Sequence, residues 1–514
     1  MSDRFVRPLL LFCILSFVAT GRAVAAGGEE APDAGVAPTG GGTGQGASVA
    51  DAGTAPATQE APSLTEPSGA PGLFEQSTAA APGAAGAAAP PAPLNLTGYV
   101  RGDSYVGKIP GVRQAELKAA YGEVALVART AKQPYGDGFA EMRLRYGLQG
   151  DLKQTFVDVR EAYANAYLGP VDLRLGKQII VWGRADLLNP TNNLTPNDLR
   201  IRSPIEDDRR VGNVGARAFL RLSPVRFEAV WLPSYVPSEL PQVYLPQFVS
   251  FGTPDYPGAN LKSWLEAGRL HLELPSVEMS VSYVYGYAPL PGLALGSLTF
   301  DPVNPSIVIA RTAYKHQVVG FDFSTALGDI VAVRGEAAYR RPFDYKGRSW
   351  TARPDLQYAL GLDHTFGSVM VIVQYLGRYV FDWKKEGPIM DYEPSVLQID
   401  PTYGEPLRGQ YTKVISSDLA KFSQMMFSQT ERVQHLATAR VEWLTLHDTL
   451  SISALGMVNF STKEWLTTPK IGYRLSDTMI AYVGAEVGSG PSGTIFGLAD
   501  QKMSAGYAEL RATF

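Results

Sequence analysis

The last nine residues, Gly506 to Phe514, constrain the fold of this chain more than any other stretch. Side chains of an extended strand alternate between its two faces. Gly506, Ala508, Leu510, Ala512 and Phe514 fall on one face, and Tyr507, Glu509, Arg511 and Thr513 on the other. An apolar face ending on a terminal aromatic, opposite a charged face, suits a boundary between lipid and a watery lumen. The competing use is an amphipathic edge strand of a soluble sheet, so the rest of the chain has to decide.

The ending also resembles the C-terminal signal of bacterial outer-membrane β-barrels, whose assembly machinery reads a final Phe preceded by alternating apolar residues. That resemblance makes Phe514 an expected membrane-assembly signal and the assembly machinery an expected partner. At the other end, residues 1–25 read as a cleaved secretory signal: Arg4 and Arg7, an apolar run from Leu9 to Ala19, and the A-x-A site Ala23-Val24-Ala25. The single cysteine, Cys13, lies inside it, so the mature chain is expected to hold no disulfide or thiolate metal site.

Residues 26–93 are dominated by Ala, Gly and Pro, contain no Lys or Arg, and are expected to be a disordered periplasmic linker. Their acids, Glu29, Glu30, Asp33, Asp51, Glu60, Glu66 and Glu75, account for the net charge of −4 and leave the remainder nearly neutral. That balance gives no field toward nucleic acid. After the signal there is no apolar run of the length a spanning helix needs, which leaves the closed barrel as the way to cross lipid.

From Leu94 to Phe514 the sequence reads as an all-β, transmembrane antiparallel barrel of eighteen strands, with sixteen left open. The two-sided pattern is clearest at 139–148, 277–287, 330–340 and 355–366. Tight turns are expected at Gly169-Pro170, Ser223-Pro224, Pro275-Ser276, Gly328-Asp329, Gly367-Ser368, Leu446-His447-Asp448 and Ser476-Asp477. The long connections, about 183–213, 235–261, 289–312, 342–354, 382–432 and 489–503, all follow odd-numbered strands, the one-sided asymmetry of an outer-membrane barrel. Tyr163, Tyr167, Tyr235, Tyr287, Tyr339, Tyr379, Trp383 and Trp443 fall near strand ends, where interfacial girdles belong. Leu419, Phe422, Met425, Met426 and Gln429 break the period and predict a short helix near 416–431, packed on the rim or lowered into the pore as a lid.

The lumen face is expected to carry mixed charge: Arg143, Arg145, Arg160, Arg174, Arg217, Arg221, Arg269, Arg334, Glu336, Arg340, Arg440 and Arg474. Same-face pairs two residues apart are Glu141 with Arg143, Asp172 with Arg174, Arg334 with Glu336, Arg440 with Glu442, and Glu509 with Arg511, and Arg340 shares the face of Glu336 four residues on. Such rows cross-link strands and set a field that selects solutes, here an anionic or hydroxyl-rich one.

The most distinctive local sequence runs from Leu173 to Leu199: Gly176-Lys177-Gln178, Trp182-Gly183, Asp186, Asn189-Pro190, Pro196 and Asp198. It resembles the "G-[KR]-Q…W-G…N-P…P-x-D" stretch of a proteobacterial outer-membrane β-barrel family, porin-like and largely of unknown function. The resemblance implies a barrel channel and transfers no residue role. Loop 183–213 is the expected constriction, with Asp186, Asn189, Asn193 and Asp198 in it. Its Asn and Asp residues read as turn formers rather than calcium ligands, and Glu206 to Arg210 as a self-paired latch.

The five histidines form no H-E-x-x-H pattern and no G-x-S-x-G elbow occurs, so neither an enzyme nor a cofactor is expected. The expectation is an outer-membrane channel for a hydrophilic or anionic solute, in contact with outer-membrane lipid. The alternative is the barrel of an envelope export machine for polysaccharide or lipid, meeting periplasmic partners through residues 26–93.

Overall fold

The computed structural model describes residues 93–514 apart from 109–114, 150–151, 187, 241–247, 259–262, 329–330, 388–396, 492 and 498–503. The expected signal segment, and all of the Ala/Gly/Pro stretch except Pro93, lie outside the described residues.

Eighteen strands form one closed antiparallel sheet. The ring starts at Leu94–Lys108 and ends at Ala505–Thr513, which returns to the first strand in a register running from Tyr99 opposite Thr513 to Val106 opposite Gly506. Phe514 extends the seam, its N–H donating to Gly98 O at 3.0 Å and its carbonyl accepting from Gly98 N–H at 2.9 Å. Closure leaves no unpaired edge, the condition for a sheet in lipid. No helix among the described residues is long and apolar enough to cross a membrane.

The alternation sorts faces as the sequence implies. On Gly136–Gln149, Met142, Leu144 and Tyr146 are exposed outward while Arg145 is buried inside. On the last strand Leu510 is 46% exposed and its neighbour Glu509 only 3%. A row of large apolar side chains facing out beside buried charges facing in is the reverse of a soluble fold.

Among the described residues the tight turns fall where expected, for instance between Asn213–Leu222 and Val225–Leu232 and between Asp355–Phe366 and Val369–Val380, while Asp329 of the expected Gly328-Asp329 turn lies outside the described residues. The long connections gather at the opposite end, and they are not mere loops. Val249–Phe251, Gly292–Thr299 and Ser306–Thr312 form a small sheet of their own. Against it packs a helix, Arg408–Met426, longer and earlier than the expected 416–431. Ile415 and Leu419 join Val249, Leu298, Phe300 and Ile307 in its core. The helix ends where Ser428 adopts φ 50°, and Arg378 of the barrel wall donates to the carbonyls of Phe427 and Ser428. The rim reading is therefore the one the packing follows, with the helix C-terminus pinned to the barrel wall at the long-loop end.

The girdle expectation needs correction. Tyr339 and Trp443 face outward, but Tyr163 and Tyr167 point inward, Tyr163 under the Arg174 guanidinium and Tyr167 bonded to Asp137. Tyr235 clusters with Tyr256 and Tyr287. A phenol satisfied by a lumen carboxylate has no need of the lipid headgroups.

Candidate functional site

The feature that fills the barrel is residues 179–212, between the strands Val171–Gln178 and Asn213–Leu222. The chain turns inward at Trp182, which is fully buried and donates Nε1–H to Glu228 at 3.0 Å. Gly183 follows at φ +108°, a region other residues rarely adopt. A Cβ there would also lie 2.8 Å from both the Glu336 carboxylate and Thr191 Oγ1. That close approach lets Glu336 accept from the N–H groups of Arg184 and Ala185 and, at 3.0 Å, from the Thr191 hydroxyl.

From this anchor the segment reaches wall strands all around the ring. Arg184 pairs with Asp322 at 2.9 Å and Glu278 at 2.8 Å. Asp186 meets Arg440 at 2.8 Å on Val433–Thr445. Arg202 meets Glu486 at 3.1 Å, and its carbonyl accepts from Tyr121. Asp208 lies 2.7 Å from Arg101 and 2.6 Å from Arg143, with Arg160 at 3.5 Å. A single segment that touches so many strands of a closed ring must cross its interior.

Asp208 is thus not part of a self-paired latch. Only Asp207 and Arg210 pair within that run, at 2.8 Å, whereas Asp208 bolts the segment to the wall. Burial alone would push the Asp208 carboxyl up, but the three guanidiniums and the Ser203 hydroxyl outweigh it and hold it well below the usual range. Asp186 goes the other way: burial raises it, and Arg440 and Arg334 do not fully offset that.

Of the residues expected in the lumen, Arg143, Arg160, Arg334, Glu336 and Arg440 hold the crossing segment, Arg334 through the carbonyl of Arg184. Arg217 pairs with Glu228, and Arg269 pairs with Asp322 and lies over Trp182. Arg145, Arg174, Arg221 and Arg340 find wall partners instead: Glu123, Asn165, Asp172 and Asp355. Arg474 sits near the short-turn end, opposite Ile480. Within the segment Asn193 donates to Pro190 O at 2.8 Å and Asp198 pairs with Arg200, while Asn189 borders a cavity.

Three same-strand pairs form: Glu141 with Arg143, Arg440 with Glu442, and Glu509 with Arg511. The pairs Asp172–Arg174, Arg334–Glu336 and Glu336–Arg340 give way to others. Arg340 takes Asp355, directly opposite it in register, because opposite side chains stand closer than residues two apart along a strand. Arg101, Arg184, Glu228, Asp322 and Asp355 escaped the sequence reading. Arg101, Glu228, Asp322 and Asp355 carried the same signal as the others, a place on the charged side of an alternating strand, whereas Arg184 lies outside any strand.

At the long-loop end lies a cavity of about 500 Å³. Its wall comes from the Asn-Pro turn at 189–193, Tyr314, His316, Arg340, Arg378 and the helix end at 425–429. Among the described residues no group of His, Cys, Asp and Glu is arranged to hold a metal.

No family model matches the chain, and no curated protein matches it. Among solved structures it is similar to OccK9 (OpdG) of Pseudomonas aeruginosa, at 8% identity over 82% of this chain and 97% of that one, TM-score 0.47. It is also similar to a BenF-like porin from Pseudomonas fluorescens Pf-5, at 9% identity over 82% and 97%, TM-score 0.46. OccAB3 of Acinetobacter baumannii matches at 9% identity over 82% and 99%, TM-score 0.47. The barrel itself stands on the strand register described above.

Proposed function

We propose that this chain is an outer-membrane channel that passes small hydrophilic solutes past a fixed internal constriction. The observation that carries the reading is the clamped segment 179–212. A barrel of eighteen strands is wide enough for an aqueous path, and here an internal segment narrows it through ion pairs to opposite walls. The apolar exterior supplies the lipid contact, and Phe514 at the seam supplies the signal for the assembly machinery. No step of this reading needs a catalytic group or a cofactor. An export role would rest on residues 26–93 as a tether for periplasmic partners, and no described residue adds to it.

The test is conductance of the purified protein in planar bilayers, beside a variant lacking 183–210. Small, stable openings are expected from the intact chain and larger ones from the deletion. Silence from both would end the channel reading.

A further inference from the structure

We infer that the cavity beside the Asn-Pro turn is a binding subsite for a neutral, hydroxyl-rich solute of sugar size. The inference rests on the channel reading for its purpose but on the cavity for its chemistry. Its volume, about 500 Å³, falls within the range of small-molecule sites, about 300–1,000 Å³.

The charges at the cavity are already spoken for. Arg340 forms a two-point pair with Asp355 at 2.8 and 2.6 Å. Arg378 lies 3.6 Å from the same carboxylate and caps the helix carbonyls. Arg353 donates to Tyr345 O at 3.2 Å. Glu464 adds an acid to the lining. Three arginines against two carboxylates leave one positive charge in excess, but the arginines are held by Asp355 and by backbone carbonyls, and an anion bound to Arg340 would have to break a buried pair.

The uncharged polar groups are a different matter. Eight lining residues are Asn or Gln, each offering donors and an acceptor at once, which is what a hydroxyl needs. Asn189, Asn192 and His316 line this cavity, and the side-chain oxygens of the two asparagines and Nε2 of the histidine are buried just behind its surface with no hydrogen bond within the chain. His316 is 5% exposed. Buried polar atoms of this kind are normally satisfied, and three in the wall of one cavity give that wall an unmet polar demand, which a small side-chain rotation would turn toward solute hydroxyls. Phe427 and Met425 form an apolar wall against which the C–H face of a sugar ring can lie.

The experiment is titration calorimetry of the intact protein in detergent with maltose, glucose and glucuronate, paired with single-channel recording of the same solutes. Saturable binding of a neutral sugar, at least tenfold tighter than glucuronate, is expected. Asn189→Ala/Asn192→Ala should weaken it about tenfold, and Asn192→Leu, which fills the cavity without removing the turn, should do the same if the double variant fails to assemble. Glucuronate binding as well as or better than the sugars overturns the inference, as does conductance without any saturable sugar binding. Sugar binding in a protein that never conducts would keep the subsite and remove the channel.

Discussion

Asp208, on a segment inside the barrel, lies 2.7 Å from Arg101 on the first strand, and both side chains are buried. The same carboxylate also takes Arg143 at 2.6 Å, so one side chain joins the crossing segment to two wall strands beside the closing seam. Asp208→Ala would leave Arg101 with Glu123, at 2.7 Å, as its close partner. Truncating one side of a buried pair costs about 3 kcal/mol. The expected outcome is a lower thermal unfolding midpoint together with a larger, noisier conductance. A fall in stability with unchanged conductance would show that Asp208 braces the wall and does not hold the constriction.

Acid should separate Asp208 from Asp186. The folded-state value of Asp208 is depressed, so its contribution is full above the unfolded carboxylate value, about 3.9, and is lost only as pH falls toward the much lower folded value. Asp186 is raised by burial, so its neutral form is favoured: that stabilisation is present below the unfolded value and fades as pH rises through the folded one. On acidification from neutral, Asp186 is protonated before Asp208, and its pair with Arg440 weakens before the Asp208 contacts do. A step in single-channel conductance above about pH 4 is expected in the wild type and absent in Asp186→Asn. The same step surviving in that variant would assign it elsewhere.

The barrel was legible in the sequence because lipid imposes one chemistry on every outward position, and a strand repeats that demand every second residue. The same alternation placed Glu509 and Arg511 inside and Leu510 outside. The clamp was only half legible. Trp182-Gly183 stood out as a motif, yet the reason for the glycine is a carboxylate 152 residues beyond Arg184. No local pattern carries a contact of that range. Partner choice failed for the same reason: Arg340 prefers Asp355 over Glu336 because of strand register, which spacing along one strand does not contain. The small loop sheet was missed because its strands answer to a satellite core and not to lipid.

Gly183 provides a sharp test of that long-range contact. Alanine there meets two penalties, an unfavourable φ of +108° and a Cβ 2.8 Å from Glu336 Oε1. The carboxylate cannot swing away without releasing the N–H groups of Arg184 and Ala185, and hydrogen bonds to a charged group are worth about 1.5–3 kcal/mol each. Gly169 is the matched control, a turn glycine at φ +68° with open space around its Cβ position. Gly169→Ala should cost about 1 kcal/mol and leave conductance alone. Gly183→Ala should cost about 3 kcal/mol or more and release the constriction. Equal behaviour of the two in unfolding and conductance would mean that Glu336 does not anchor the segment.

The last strand tests the faces themselves. Leu510 points outward at 46% exposure, opposite Gly102 on the seam strand. Thr513 lies at the short-turn end, its N–H donating to Thr478 O at 2.8 Å. Arginine at Leu510 places a charge in hydrocarbon and should cost about 2–4 kcal/mol near mid-membrane, whereas near the interface the cost falls to about 0–1. Leu510→Arg should therefore lower the unfolding midpoint in lipid vesicles and reduce the assembled fraction, with Thr513→Arg close to wild type. In detergent micelles, where a thin apolar belt lets a guanidinium reach water, the gap between the two should shrink. A gap of the same size in micelles and vesicles would locate the damage in the seam pairing of Leu510 with Gly102 and not in the lipid.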